Sequence, residues 1–220
     1  MTKGCDHMTK GCDHHHCDDR KTLYPRVFII LISFIVLILF IILLIYLILR
    51  PTKPHFTLLS TTIYAFNVTT TPTNLLTSTF QVALSSTNPN SRIGIYYDKL
   101  DVYAVYRRQQ ITLPTLLPAS YQGHEDVSVW SPFLYGNAVP VAPYVAAALC
   151  GDEAAGTVLI NVKVDGRVRW KVGDFVSGKY HLYVKCAAYI PFGNKNSNSG
   201  IVIGPGINKY QLVQNCHVDV

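Results

Sequence analysis

Residues 158–172 read VLINVKVDGRVRWKV, and every second position from Val158 to Val164 is β-branched and apolar. Period-two alternation places Val158, Ile160, Val162 and Val164 on one face of a strand and Leu159, Asn161, Lys163 and Asp165 on the other. Asp165-Gly166 is a two-residue hairpin signal, so a turn is expected there. Val168, Trp170 and Val172 then face inward on a returning strand whose other face carries Arg167, Arg169 and Lys171.

Working outward, the same alternation recurs. Phe80, Val82 and Leu84 oppose Thr79, Gln81 and Ser85; Leu100, Val102, Ala104 and Tyr106 oppose Asp101, Tyr103 and Arg107. Leu182, Val184 and Cys186 oppose His181, Tyr183 and Lys185, and Tyr210, Leu212 and Val218 supply a last strand. Asn88-Pro89-Asn90 and Gly204-Pro205-Gly206 punctuate these runs as turns. Leu113 to Pro143 holds five prolines and predicts irregular connections, and nothing after Leu49 shows a helical period longer than two turns. About seven strands rich in Val, Thr, Tyr and Ile predict an all-β domain, an antiparallel β-sandwich.

Ahead of these strands, Val27 to Leu49 runs VFIILISFIVLILFIILLIYLIL, 23 residues without a charge. As a helix it would be about 35 Å long, enough to cross a hydrocarbon core of roughly 30 Å. Arg50-Pro51 and Pro54 stop it. A cleaved signal peptide is the rival reading, but its apolar stretch is shorter and ends in small residues. Lys10, Arg20, Lys21 and Arg26 precede the run and Arg50 and Lys53 follow it, which favours a cytosolic N-terminus. Asn67-Val68-Thr69, the single N-glycosylation acceptor in the chain, lies beyond the run and agrees with that direction. The expected organisation is a cytosolic tail (1–26) without a core, a transmembrane helix (27–49), a juxtamembrane segment with a first strand (50–75) and a sandwich (76–220).

Charge excludes one partner class. After residue 53 there are twelve Lys/Arg against nine Asp/Glu, too mild and dispersed a surplus for a nucleic-acid protein. Cysteine divides three and three across the anchor: Cys5, Cys12 and Cys17 before it, Cys150, Cys186 and Cys216 after it. The second set would face an oxidising space, where an odd number leaves one unpaired or intermolecular. Cys186 and Cys216 lie in β-patterned segments that could be sheet neighbours and are the expected disulfide.

The tail repeats MTKGCDH at residues 1–7 and 8–14 and continues into His15, His16 and Cys17. Thiolates with imidazoles suit Zn or Cu(I), but the spacing of Cys5, Cys12 and Cys17 fits no compact zinc module, so no metal site is expected. Acylation of Cys17 and a replication slip without function are the competing readings. No Gly-x-Ser-x-Gly is present, and the Gly-Pro-Gly at 204–206 lacks a third glycine. His55, His124, His181 and His217 are scattered, and His124-Glu125-Asp126 is a polar cluster in a proline-rich connection. Neither catalysis nor a cofactor is expected. The basic triad Arg167, Arg169 and Lys171 is either a solvated outer face or a contact for an acidic partner, a phospholipid headgroup or an anionic polysaccharide.

Several short motifs together resemble a known family. They are Arg-Pro-Thr-Lys-Pro at 50–54, Asn88-Pro89-Asn90 leading to Ile95-Tyr96-Tyr97-Asp98, Tyr121-Gln122-Gly123, Trp130-Ser131-Pro132-Phe133 and Asp165 to Gly173. The chain resembles the plant harpin-induced and non-race-specific-disease-resistance-like membrane proteins, which carry a late-embryogenesis-abundant group 2 domain. The likeness covers the anchor and essentially all that follows; the repeated Cys/His tail departs from it. It implies an immunoglobulin or fibronectin-III-like sandwich, one signal-anchor helix, and a plasma-membrane glycoprotein with its C-terminal domain outside. It also implies a role in stress, defence and the hypersensitive response, and it favours Cys186 and Cys216 over Cys150. No catalytic residue or cofactor comes with it. The implied partners are the bilayer and a membrane or cell-wall component, with a tether between membrane and wall, or to a second membrane, as the alternative role.

Overall fold

The computed structural model describes residues 18–48, 51–69, 73–191 and 208–220. Two compact units, Met1–Arg50 and Pro51–Val220, are described separately. In the first, α1 (Asp18–Ile48) is a single 31-residue helix. Its segment Pro25–Leu44 is long and apolar enough to cross a membrane, with a mean hydropathy of 3.7. The helix starts earlier than the apolar run: Asp18 to Arg26, expected in the tail, are helical and include Pro25. Residues 1–17, with Cys5, Cys12 and Cys17, lie outside the described residues.

The second unit is a sandwich of two antiparallel sheets, built from β1 (His55–Thr69), β2 (Leu75–Thr87), β3 (Gly94–Tyr106), β4 (Gln109–Gln110), β5 (Thr115–Leu117), β6 (Ser120–Gln122), β7 (Val127–Trp130), β8 (Phe133–Pro140), α2 (Pro143–Ala154), β9 (Thr157–Val172), β10 (Phe175–Val176), β11 (Tyr180–Pro191), β12 (Asn208–Asn215) and β13 (His217–Asp219). The first sheet runs β12-β1-β2-β7, with β8 also on β2; the second runs β13-β11-β9-β3-β4, with β5 and β6 on β3 and β10 on β9. β1, the first strand expected within residues 50–75, is an interior strand of the first sheet, between β12 and β2. Leu58, Phe80 and Leu84 from one sheet meet Ile95, Val102, Val162, Val164 and Val184 from the other, all buried. Each such side chain contributes about 1.5–3 kcal/mol.

Asp165-Gly166 is not a turn. β9 continues through it as one 16-residue strand, with Gly166 opposite Leu100 on one side and Leu182 on the other. The register of β3 on β9 shifts between Tyr97 and Lys99, and the Lys99 carbonyl lies close against Gly166. A Cβ on Gly166 would lie 2.2 Å from that oxygen, so only glycine fits. Two-residue hairpins of this sheet sit instead at Gly173-Asp174, which joins β9 to β10, and at Arg107-Arg108, where φ values of 40° and 73° join β3 to β4 without Gly, Asn or Asp. Tyr106 donates to Asp152 Oδ2 at 2.6 Å and Arg107 bonds the same carboxylate at 3.2 Å, fixing the turn to α2.

α2 corrects a second expectation. It is a helix of three turns with Pro143 in its first turn, burying Val145, Ala146, Leu149 and Glu153 towards β9. Its alanines make both faces similarly apolar, so no helical stripe stands out in the sequence.

Four of the five short motifs, all but Asp165 to Gly173, meet around one buried polar hub. Asn88 donates to the carbonyls of Ile93 and Gly123 at 2.7 and 2.8 Å and accepts from Asn90 N and Nδ2 at 3.1 and 2.9 Å. Asn90 in turn brackets Thr52, accepting from its N–H and donating to its carbonyl, both at 2.8 Å. Gln122 accepts from Tyr97 Oη at 2.8 Å and donates to the Ser86 and Asp126 carbonyls. Trp130 packs edge-on to Tyr97, centroids 5.3 Å apart. Burial pushes the Tyr97 hydroxyl's pKa far up, a shift that its bond with Ser86 opposes.

Gly166→Ala should cost about 2–3 kcal/mol in unfolding experiments, as expected of an overpacked interior site. Gly178→Ala, with nothing within 4 Å of the new methyl, should stay within about 0.5 kcal/mol of the parent.

Candidate functional site

Outward-facing residues of the second sheet follow from the parity of β9. With its even-numbered side chains in the core, Arg167, Arg169 and Lys171 share the outer face, as the alternation requires. They are not equivalent. Arg169 is committed to Asp98, with Nη2 at 2.6 Å and Nε at 3.0 Å from Oδ1, and its guanidinium lies over the Tyr96 ring. The hydrogen bond to Asp98 raises the Arg169 pKa above its ordinary value. Lys171 Nζ lies 5.4 Å from the Tyr121 centroid and 6.0 Å from that of Tyr96, and those two rings are 4.6 Å apart. Arg167 stands exposed between Lys99 and His181 in the register. One bound cation, one cation on an aromatic platform and one solvated cation therefore replace three equal charges.

Farther along the same face a groove of about 330 Å³ opens over β3, β9, β11 and β13, lined among others by Tyr103, Lys163, Asp165, Tyr183, Lys185 and His217. Pairing registers set these residues in rows across the strands. Tyr103, Lys163, Lys185 and His217 form one row; Asp101, Asp165, Tyr183 and Asp219 form the next. At the rim, Asp101 pairs with Lys99 at 2.9 Å and Asp219 with His217 at 3.2 Å and Lys53 at 3.5 Å. Desolvation, then the nearby Asp165 and Tyr183, push the Tyr103 pKa up. In sequence Lys163 and Lys185 are outward residues of separate strands; their alignment depends on the register between β9 and β11.

The remaining expected residues fall as follows. Cys186, at the centre of β11, is bonded to Cys216 just ahead of β13 with a sequence separation of 30, a loop whose closure contributes about 3–4 kcal/mol in the chain-entropy account. Cys150 is a free thiol, half-buried on α2. Asn67 is exposed on β1. His124-Glu125-Asp126 forms a turn: Asp126 Oδ1 accepts from Val127 N at 2.8 Å and Glu125 N donates to the Asn90 carbonyl. The turn belongs to the hub, not to a cation site. His181 stacks on Tyr183, and no group of three or more His, Cys, Asp or Glu gathers for a metal ion among the described residues. Gly204-Pro205-Gly206 lies outside the described residues.

Comparison with known proteins gives a consistent result. Residues 83–187 match the family described as late embryogenesis abundant protein. NDR1/HIN1-like protein 1 of Arabidopsis thaliana is 54% identical over 206 residues, covering 94% of this chain and 98% of that protein. NDR1/HIN1-like protein 12 from the same plant is 53% identical over 78% of this chain and 80% of its own length. NDR1/HIN1-like protein 26 is 46% identical over 66% and 68%.

Proposed function

Because the chain belongs to the NDR1/HIN1-like family of late embryogenesis abundant proteins, we propose that it is a plasma-membrane-anchored protein of plant defence and stress response. It acts without catalysis, through contacts of its C-terminal sandwich with an anionic partner. The observation that carries this reading is the outer face of the second sheet, where Lys171 is displayed over Tyr96 and Tyr121 and Arg167 stands exposed on the same strand face. A cation over an aromatic ring keeps its charge while losing little side-chain freedom, which suits recognition of an anion.

The direction across the membrane is cytosolic for the N-terminus and extracellular for the sandwich. Three features support it: the flanking charges, the exposed Asn67 acceptor and the Cys186–Cys216 bond, which belongs in an oxidising compartment.

Both halves of the proposal are tested on full-length chain expressed in plant cells. Glycosidase should increase the gel mobility of the parent and leave Asn67→Gln unchanged; a parent that does not shift contradicts the extracellular placement. An Arg167→Ala/Arg169→Ala/Lys171→Ala variant should bind anionic polysaccharide about five- to tenfold more weakly than the parent, the size expected for losing exposed ion pairs. Equal binding contradicts the role of this face.

A further inference from the structure

The centre of the groove differs from its rim. At the rim Asp101 and Asp219 are paired with Lys99 and Lys53, and His217 Nε2 lies 3.2 Å from Asp219. Among the described residues, Lys163, Lys185 and Asp165 in the centre make none. Lys163 and Lys185 are direct cross-strand partners. Like charges placed opposite one another destabilise a sheet, so this pair carries an electrostatic cost that a bound anion would relieve. The row from Tyr103 to His217 spans three strand-to-strand steps, about 14 Å, which is long enough for a short oligosaccharide rather than a single ion.

The remaining lining narrows the anion's class. Tyr103 offers an aromatic surface across from Lys163 and Tyr183 another in the next row beside Lys185, and Asp165 is a carboxylate acceptor directly opposite Tyr183. A flat anionic bilayer would meet Asp101, Asp165 and Asp219 together with the lysines, and like-charge juxtaposition disfavours that docking. A sugar acid has a carboxylate for the lysines, hydroxyls that donate to Asp165 and C–H faces for the tyrosines. We propose that this groove, formed by Tyr103, Lys163, Asp165, Tyr183, Lys185 and His217, is a subsite for the carboxylated sugars of an acidic polysaccharide. The proposal rests on the reading that the outer face of this sheet meets an anionic partner, and it names the partner and the residues that select it.

The test uses the full chain in neutral-lipid nanodiscs, titrated with oligogalacturonate, its methyl ester, a neutral oligosaccharide of equal length and vesicles of anionic lipid. The parent should bind oligogalacturonate and bind the methyl ester at least tenfold more weakly. Lys163→Gln/Lys185→Gln should lose at least tenfold in affinity for oligogalacturonate while its melting temperature does not fall, because the variant removes a like-charge pair. Arg167→Gln/Lys171→Gln should lose less. If Lys163→Gln/Lys185→Gln binds as the parent does while Arg167→Gln/Lys171→Gln loses binding, the groove is overturned and the anionic-partner reading stands. If the ester or the neutral sugar binds equally well, carboxylate recognition is overturned. If only anionic vesicles bind, the polysaccharide is overturned in favour of a lipid surface.

Discussion

At Gly166 the backbone of β9 passes the Lys99 carbonyl so closely that a single added methyl would lie 2.2 Å from it. Glycine at this close approach lets β9 run unbroken for 16 residues between β3 and β11. Much of the second sheet depends on it. The unbroken strand keeps its even-numbered side chains in the core from Val158 to Trp170 and its odd-numbered ones outward. It therefore sets, with one phase, both the hydrophobic contribution to stability and the row of charges displayed outside. A turn at the same place would separate Lys163 from Arg167 and dismantle the face on which the groove is built.

A second constraint acts through polar groups. The Asn88 amide is fully buried and has four hydrogen bonds, and Asn90 continues the network to the backbone of Thr52. Buried amides that lose a partner cost about 1–3 kcal/mol each, so these short motifs act together. Trp130, Gln122 and Tyr97 join the same hub, and Asp98 holds Arg169 on the outer face next to it. The residues that mark the family in sequence are thus largely those that close one end of the sandwich. The groove proposed to bind sugar acids lies elsewhere on the sheet.

Much of this was legible in the sequence, and the failures have physical causes. Alternation identified the core faces of β2, β3, β9 and β11, because one-sided burial writes period two directly into the residues. The Asp-Gly pair misled because local turn propensity was read without phase. In a two-residue hairpin Val164 and Arg167 would face each other and share a side, which would turn Val168, Trp170 and Val172 outward, whereas the apolar positions stay even-numbered through Gly166, as in an unbroken strand. Of the two-residue hairpins in this sheet, Gly173-Asp174 carries turn residues, whereas Arg107-Arg108 carries none; cross-strand pairing and Asp152 hold the latter. α2 was missed because alanines blur its buried stripe. The pairing of Lys163 with Lys185 depends on register between distant segments, which no single strand's pattern contains. The same limit explains why Arg169 was read as a free cation: its partner Asp98 is 71 residues away.

The basic-aromatic outer face of the second sheet, with Lys171 over Tyr96 and Tyr121, exists only because β9 runs unbroken. Hydrogen–deuterium exchange across residues 157–172 of the full chain tests the foundation of this account most directly. If β9 is unbroken, the amides of Asp165, Gly166 and Arg167 exchange as slowly as those of Val162 and Val164. Fast exchange confined to those three residues would restore the hairpin and contradict the face derived from a continuous strand.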